Sequence, residues 1–233
     1  MGKEYCPGEG GFKIIGGHSD SPNLKIKPNS KRSPNSANAI QLAVECYGGG
    51  LWHTWFDRDL GLSGRVFVRT NNNGNNSIQQ KLVKIDRAIL RIPNLAIHLQ
   101  TASEREAFAV NKEDHLQPIL AMQVQKALGS KKEDAEEGED GWDSYQEPLL
   151  LQILAEELQV EVNQIIDFEL NLFDIQKASI GGAFGEFLHS ARLDNLASCF
   201  MAVQALSEHP LDEDKDISMI VLFDHEEVGS SSA

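Results

Sequence analysis

Three cysteines among 233 residues, at positions 6, 46 and 199, are too few and too scattered to build a disulfide framework. They form no CxxC pair, so reduced thiols and a cytoplasmic setting are expected. Basic residues are scarce as well: 21 Lys and Arg face 35 Asp and Glu, and a formal charge of −14 repels a phosphate backbone, which argues against nucleic acid as a partner. Long apolar runs are missing. No stretch approaches the ~18 apolar residues of a membrane span, and the opening MGKEYCPGEGG lacks the apolar core of a signal peptide. A protein neither exported nor embedded in a membrane is therefore expected. Without a secretory signal, the sequon Asn75-Asn76-Ser77 reads as a polar turn rather than a glycosylation site. Several catalytic signatures are absent too: GxSxG, HExxH, GxxxxGK[ST], and GxGxxG after a strand. Serine hydrolases of the elbow type, simple zincins and P-loop enzymes fall away with them.

What is present is a globular composition, 41% apolar and 24% charged, long enough for one large or two modest domains. Phe12 to Gly17 predicts a short buried strand that delivers His18 and Asp20 at its end, in the turn GGHSDSP. KPNSKRSPNSAN, rich in Pro, Ser and Asn, predicts a crossover or flexible loop with a domain boundary nearby. From Ala39 to His98 the period is short. Strands are predicted at 40–46, 65–69, 81–85 and 89–92, with TNNNGNNS as a hairpin loop between the second and third. The acidic stretch 131–141 reads as a solvated loop. Pro148 opens a helix with Leu150, Ile153, Leu154 and Leu158 on one face, and 166–172 alternates as a half-buried strand. A helix over 195–206 is predicted with Leu196, Phe200 and Val203 inward and Asp194 at its N-terminus. Ile217 to Phe223 reads as a central strand covered on both faces. Strand, helix and strand in succession imply an α/β layer.

The chemistry gathers at strand ends. DHEEVGS, Asp224 to Ser230, follows the apolar run ISMIVLF, and ligand sites in α/β sheets form outside the carboxyl ends of strands. Two neighbouring carboxylates there suffer desolvation and mutual repulsion unless cations offset them, so a metal site and a plain acidic loop are the two alternatives. Glu226 and Glu227 point in different directions and can divide their work, one binding metal and the other handling a proton. His18 can offer one ring nitrogen while the Asp20 carboxylate fixes the other. With Asp194, these residues supply N and O ligands suited to zinc, and a carboxylate shared by two ions would build a two-metal hydrolytic site.

GGHSDSP, ECYGGGLWHTWFDRDL, RIPNLAIHLQ, SARLDN and DHEEVGSSSA, in that order, resemble the aspartyl aminopeptidases, the dinuclear zinc exopeptidases of the M18 family. The resemblance implies an α/β fold: a partial zinc-exopeptidase catalytic domain interrupted by a mostly β dimerisation domain. In domain terms it implies catalytic residues 1–38, an insert over 39–165, and the second catalytic part over 166–233. It implies two zinc ions per site, with His18 a ligand of one, Asp194 the bridging carboxylate and Glu227 a ligand of the other. Asp20 would support His18, and Glu226 would be the general base. His98 would contact substrate in a neighbouring subunit's site, although its periodicity alone reads as a sheet residue. The substrates implied are peptides with an acidic N-terminal residue, and the assembly implied is a homo-oligomer, a dodecamer in the family.

The family's remaining Asp and His ligands lie beyond DHEEVGS, so an incomplete fragment with negligible peptidase activity is expected, with His225 and His189 as the first substitute ligands. The net charge of −14 argues mildly against attracting acidic peptides, so local cations must provide that preference. The rivals are a related dinuclear aminopeptidase of other specificity and a non-catalytic product acting as an assembly module. LWHTWF, with three aromatics in six residues, predicts an interface anchor, with core packing as the alternative.

Overall fold

The computed structural model describes residues 1–33, 38–72, 75–123, 141–210, 212 and 214–229. Among these, the strands in chain order are β1 Phe12–His18, β2 Asn23–Lys31, β3 Ala39–Tyr47, β4 Leu60–Asn72, β5 Asn75–Leu90, β6 Ile119–Met122, β7 Ile165–Asp174, β8 Ser179–Gly181, β9 Phe187–His189 and β10 Ile217–Phe223. The helices are α1 Ala102–Glu106, α2 Pro148–Leu158 and α3 Leu193–Glu208. The chain divides into two compact units, Met1–Pro22 with Lys177–Ala233, and Asn23–Gln176. The fold is mixed α/β.

The Asn23–Gln176 unit is built on one six-stranded sheet of order β5-β4-β7-β2-β3-β6. Its core follows from alternation. In β7 the sequence IIDFELNLFD buries Ile165, Leu170 and Leu172, and β4 meets it with Leu62 and Val66, both without exposed surface. Each such side chain taken fully from water contributes about 1.5–3 kcal/mol. Helix α2 closes over this core with Leu150, Leu151, Leu154 and Ala155. Pro148 occupies its first turn, and the Glu147 side chain accepts from the Leu149 N–H.

Four local expectations change here. β2 runs through KPNSK, where a loop was expected: the register jumps from Ile26 opposite Val44 to Lys31 opposite Leu42, which accommodates Pro28 without a ladder donor. The buried Ser30 hydroxyl ties that irregular stretch to Gln146 (2.7 Å). Strands expected at 81–85 and 89–92 are one strand, β5, with an irregularity between Ile85 opposite Leu62 and Leu90 opposite Leu60. The sequon residues Asn76 and Ser77 sit in the β4–β5 ladder, opposite Asn71 and Thr70, rather than in a turn. Trp52 is buried and Trp55 and Phe56 pack against the same core, so the LWHTWF aromatics serve the interior. The acidic stretch 131–140 and the loop tip at 73–74 lie outside the described residues.

Because β2 and β7 both hydrogen-bond into this sheet, the units meet at 22/23 and 176/177 rather than at 38/39 and 165/166.

In the other unit β1 and β10 pair in parallel from Phe12 opposite Ile217 to His18 opposite Phe223, and α3 packs on both. β8 and β9 form a separate short hairpin. The strands are where the sequence puts them, but their expected burial is absent: Phe12 is 64% and Phe223 50% exposed. Two strands and one helix provide no second cover for those faces among the described residues. The face of α3 also differs from expectation. Leu196, Phe200 and Val203 are exposed, while Cys199 is buried and Asn195, Ala202 and Leu206 share its stripe at helical spacing.

Candidate metal centre

Parallel pairing of β1 and β10 sends both chain segments off the same sheet edge. The Ser19 N–H and hydroxyl both donate to the Phe223 carbonyl, at 2.7 and 3.2 Å, and so clamp the two exits together. After β10 the chain turns through a short 3-10 segment, Glu226–Val228. Asp20 organises that turn: its Oδ1 accepts from the Glu226 N–H (3.2 Å) and its Oδ2 from the Glu227 N–H (3.1 Å). This corrects one expectation. The acceptor nearest to His18 Nδ1 is the Asp20 backbone carbonyl at 3.0 Å, with carboxylate Oδ1 farther away at 3.4 Å.

That carbonyl can only accept, so in the neutral imidazole Nδ1 carries the proton and Nε2 presents its lone pair, the form a metal requires. Nε2 faces two carboxylates, Asp194 Oδ1 at 3.6 Å and Glu226 Oε2 at 3.9 Å. Asp194 comes from the start of α3, where Arg192 takes a left-handed conformation and Asp194 and Asn195 depart from helical geometry. The Asp194 side chain is 92% exposed and its Oδ1 faces His18.

One donor atom from each of His18, Glu226 and Glu227 lies within 4.8 Å of the others. Two ligands about 2.1 Å from one ion at a tetrahedral angle stand ~3.4 Å apart, close to the observed His18–Asp194 separation. The electrostatics agree. Burial raises the Glu227 pKa and nearby Glu226, Asp20 and Asp194 add to the rise, against an opposing pull from His18. At His18 burial acts downward, but the Asp20 carbonyl and the charges of Glu226, Asp20 and Glu227 outweigh it and the pKa rises. Anionic charge thus concentrates around one imidazole, a pattern that a divalent cation offsets. With N and O donors only, the set fits zinc.

His18, Asp20, Asp194, Glu226 and Glu227 therefore converge. His98 belongs to the Asn23–Gln176 unit, exposed in the 3-10 turn Ile97–Leu99 rather than in a sheet. His189 ends β9 beside Phe187, and His225 pairs with Asp224 at 3.0 Å. Two residues went unread in the sequence. Ser19 is the inter-strand clamp, and Cys199 donates its thiol to the His18 carbonyl at 3.0 Å. Both act on main-chain carbonyls, which no sequence motif marks.

The sequence matches the Aminopeptidase I zinc metalloprotease (M18) family over residues 1–233. It is 45% identical to the aspartyl aminopeptidase of Aspergillus oryzae over 253 aligned residues, covering 100% of this chain and 49% of that protein. Among solved structures it resembles the cryo-EM structure of the Ape4 and Nbr1 complex, with a TM-score of 0.84, 42% identity, and coverage of 100% of this chain and 43% of that one. It also resembles the Saccharomyces cerevisiae mApe1 dodecamer, with a TM-score of 0.72, 30% identity, and coverage of 100% and 47%. The chain spans about half the length of the curated relatives it matches.

Proposed function

The chain belongs to the M18 family of zinc metalloproteases, and from that premise we propose that it carries part of an aspartyl aminopeptidase active site, one that removes N-terminal Asp or Glu from peptides. The observation that carries this is the convergence of His18, Asp194, Glu226 and Glu227 around a free imidazole Nε2. The acidic preference rests on the relatives, several of which are aspartyl aminopeptidases.

His18, Asp194 and Glu227 would hold two zinc ions, Asp194 bridging them. When bound, zinc supplies Lewis-acid polarisation of the scissile carbonyl and of the attacking water. The rest falls to this chain's own residues. Glu226, the more exposed of the two glutamates, takes the proton from the attacking water and returns it to the departing amine. Glu227, half-buried and with a raised pKa, is the better placed to gain from a neighbouring cation. Asp20 holds both glutamates through their amides and so fixes the angle between base and ligand. Catalytic zinc usually takes three protein ligands, and His18, Asp194 and Glu227 would supply fewer than that to each of two ions. The 233 residues alone are therefore proposed to bind zinc weakly and to turn over little substrate.

Zinc titration of the purified chain and of two variants tests this. Glu226→Gln is expected to retain the wild-type zinc content and Glu227→Ala to lose it. Equal content in the two variants would overturn the division of roles, and a wild-type chain that binds no zinc would overturn the site. Asp-, Glu- and Leu-derived substrates, assayed in an M18 enzyme carrying this segment, separate the acidic preference from a broader one.

The Asn23–Gln176 unit is proposed to mediate homo-oligomerisation, as the dodecameric relative supports. The surface that favours it is the long edge strand β5, where Ile78 and Leu82 are 66% and 79% exposed. Sedimentation of residues 23–176 is expected to show self-association at micromolar concentration, and a clean monomer would refute it. His98 is proposed to contact substrate within such an assembly. A cytoplasmic location is proposed from three free cysteines, and no helix among the described residues is long and apolar enough to cross a membrane.

A further inference from the structure

We propose that Cys199 is a positioning residue for His18, acting through the backbone carbonyl that its thiol engages; the inference rests on the metal-site reading above. Three observations place it in that role. The thiol is buried and its Sγ lies 3.0 Å from the His18 carbonyl oxygen. The helix that carries Cys199 also carries Asp194, five residues earlier and 3.6 Å from His18 Nε2. Strand and helix approach so closely at this point that a Cβ on Gly17 would stand 3.3 Å from Sγ and 3.5 Å from Leu222 Cδ2.

The chemistry follows from that geometry. The His18 ring is oriented at Nδ1 by the Asp20 carbonyl, which sets rotation of the ring but leaves the end of β1 free to shift against α3. The Sγ–H bond removes that freedom: it pins the carbonyl of the very residue that donates Nε2 to the helix that presents Asp194. Beyond the general packing of α3 on β1, this contact ties the distance between His18 and Asp194 at a point that touches neither donor atom.

A buried cysteine can equally be a small apolar filler, and the two roles predict opposite orders for two substitutions. Cys199→Ser keeps a donor, indeed a stronger one, in a smaller side chain, whereas Cys199→Ala keeps only the bulk of the Cβ. As a filler, cysteine is better replaced by alanine, since a hydroxyl is costly to bury. As a positioning donor, it is better replaced by serine.

The test is zinc affinity of the 233-residue chain, measured by competition with a chromophoric chelator, with thermal melts of the metal-free proteins alongside. Serine is expected to bind zinc within about twofold of wild type, and alanine to bind about three- to tenfold more weakly, less than the ~10–100-fold known for groups bonded directly to metal ligands because this contact acts through a main-chain carbonyl. Both variants are expected to melt at lower temperature, so stability cannot account for a difference in affinity between them. If alanine gives no cooperative melt, Cys199→Val supplies the donor-free variant and is expected to weaken zinc in its place. Alanine or valine binding as tightly as serine overturns the proposal and leaves the metal site standing. A wild-type chain that binds no zinc overturns both.

Discussion

Replacing Asp20 isolates what holds the two glutamates in place. Its carboxylate is 10% exposed and accepts one N–H from Glu226 and one from Glu227, at 3.2 and 3.1 Å. Bonds to an ionised acceptor contribute about 1.5–3 kcal/mol each when the alternative is a poorly solvated donor. Asp20→Asn keeps an oxygen for one N–H but turns an amide NH2 toward the other, so one bond is lost. Asp20→Ala loses both. At 1.36 kcal/mol per decade, and with the lower figure of ~1.5 kcal/mol for each bond, the asparagine variant is expected to bind zinc ~10-fold more weakly and the alanine variant on the order of 100-fold, the range known for groups that orient metal ligands. His18 loses little in Asp20→Asn, because its Nδ1 partner is a backbone carbonyl that the substitution leaves in place. The assay is chelator competition, with the Glu226 and Glu227 amide resonances followed by NMR. An asparagine variant whose amides shift while its zinc affinity stays within twofold of wild type would refute the argument, because the turn would then be free to move without consequence for the metal.

Three further outcomes are expected. Ser30→Ala leaves buried Gln146 Oε1 and the Glu147 N–H without the hydroxyl that meets both at 2.7 and 2.9 Å; at ~1–3 kcal/mol per stranded group the loss is about 2–6 kcal/mol in urea unfolding, and a change under about 0.5 kcal/mol would mean that water replaces the hydroxyl. Gly61→Ala sets a Cβ 2.3 Å from the Ile85 carbonyl oxygen, so the β4–β5 backbone must move at a cost of about 1–3 kcal/mol, and an unchanged melting temperature would contradict this. Asp214 accepts from His209 (2.9 Å), the Asp216 amide and Lys13 (each 3.1 Å), and these partners hold its pKa far below the ordinary carboxylate range. An unfolded aspartate protonates near pH 4, so the stability Asp214 contributes is complete above about pH 4 and is lost as the pH falls toward the lower folded value. Asp214→Asn should therefore lower the urea midpoint above pH 4 and flatten its fall below, and curves that stay parallel from pH 6 to pH 2 would count against the assignment.

The residues that make the candidate site were largely legible, because strand ends announce themselves: an apolar run stops and polar, chemically active side chains begin, as at Gly17–His18 and Phe223–Asp224. The strand-ladder residues of β3, β4 and β7 were legible for the same reason, period two being hard to mistake. Burial was less so. Helix α3 has large apolar side chains on one face and Cys199 and Ala202 on another, and a bulk-weighted pattern selects Leu196, Phe200 and Val203. The neighbour decides instead: Gly17 in β1 lets the backbone come so near that a Cβ there would stand 3.3 Å from Cys199 Sγ, and a bulkier side chain at 199 would not fit. β2 was obscured by Pro28 and the irregular pairing around it, and with β2 hidden the sheet had no visible reason to begin at Asn23. Cys199 was invisible as a contributor because its action runs through a main-chain carbonyl, which every residue possesses and no motif marks.

The parallel pairing of β1 with β10 joins Phe12 to Ile217, with the whole Asn23–Gln176 unit threaded between them. Such a contact has a temporal side. On a ribosome moving at ~5–20 residues per second, the end of that unit emerges ~3–10 s before Glu227, and in that interval the six-stranded sheet can close on its own contacts. Once it has closed, the ends left to meet are those of a short tether rather than of a long coil, and the entropy of bringing them together shrinks accordingly. The intervening sheet thus acts as a spacer whose prior folding sets the concentration of one half of the metal centre about the other. Destabilising it should slow the appearance of zinc binding during refolding even when no ligand has been touched.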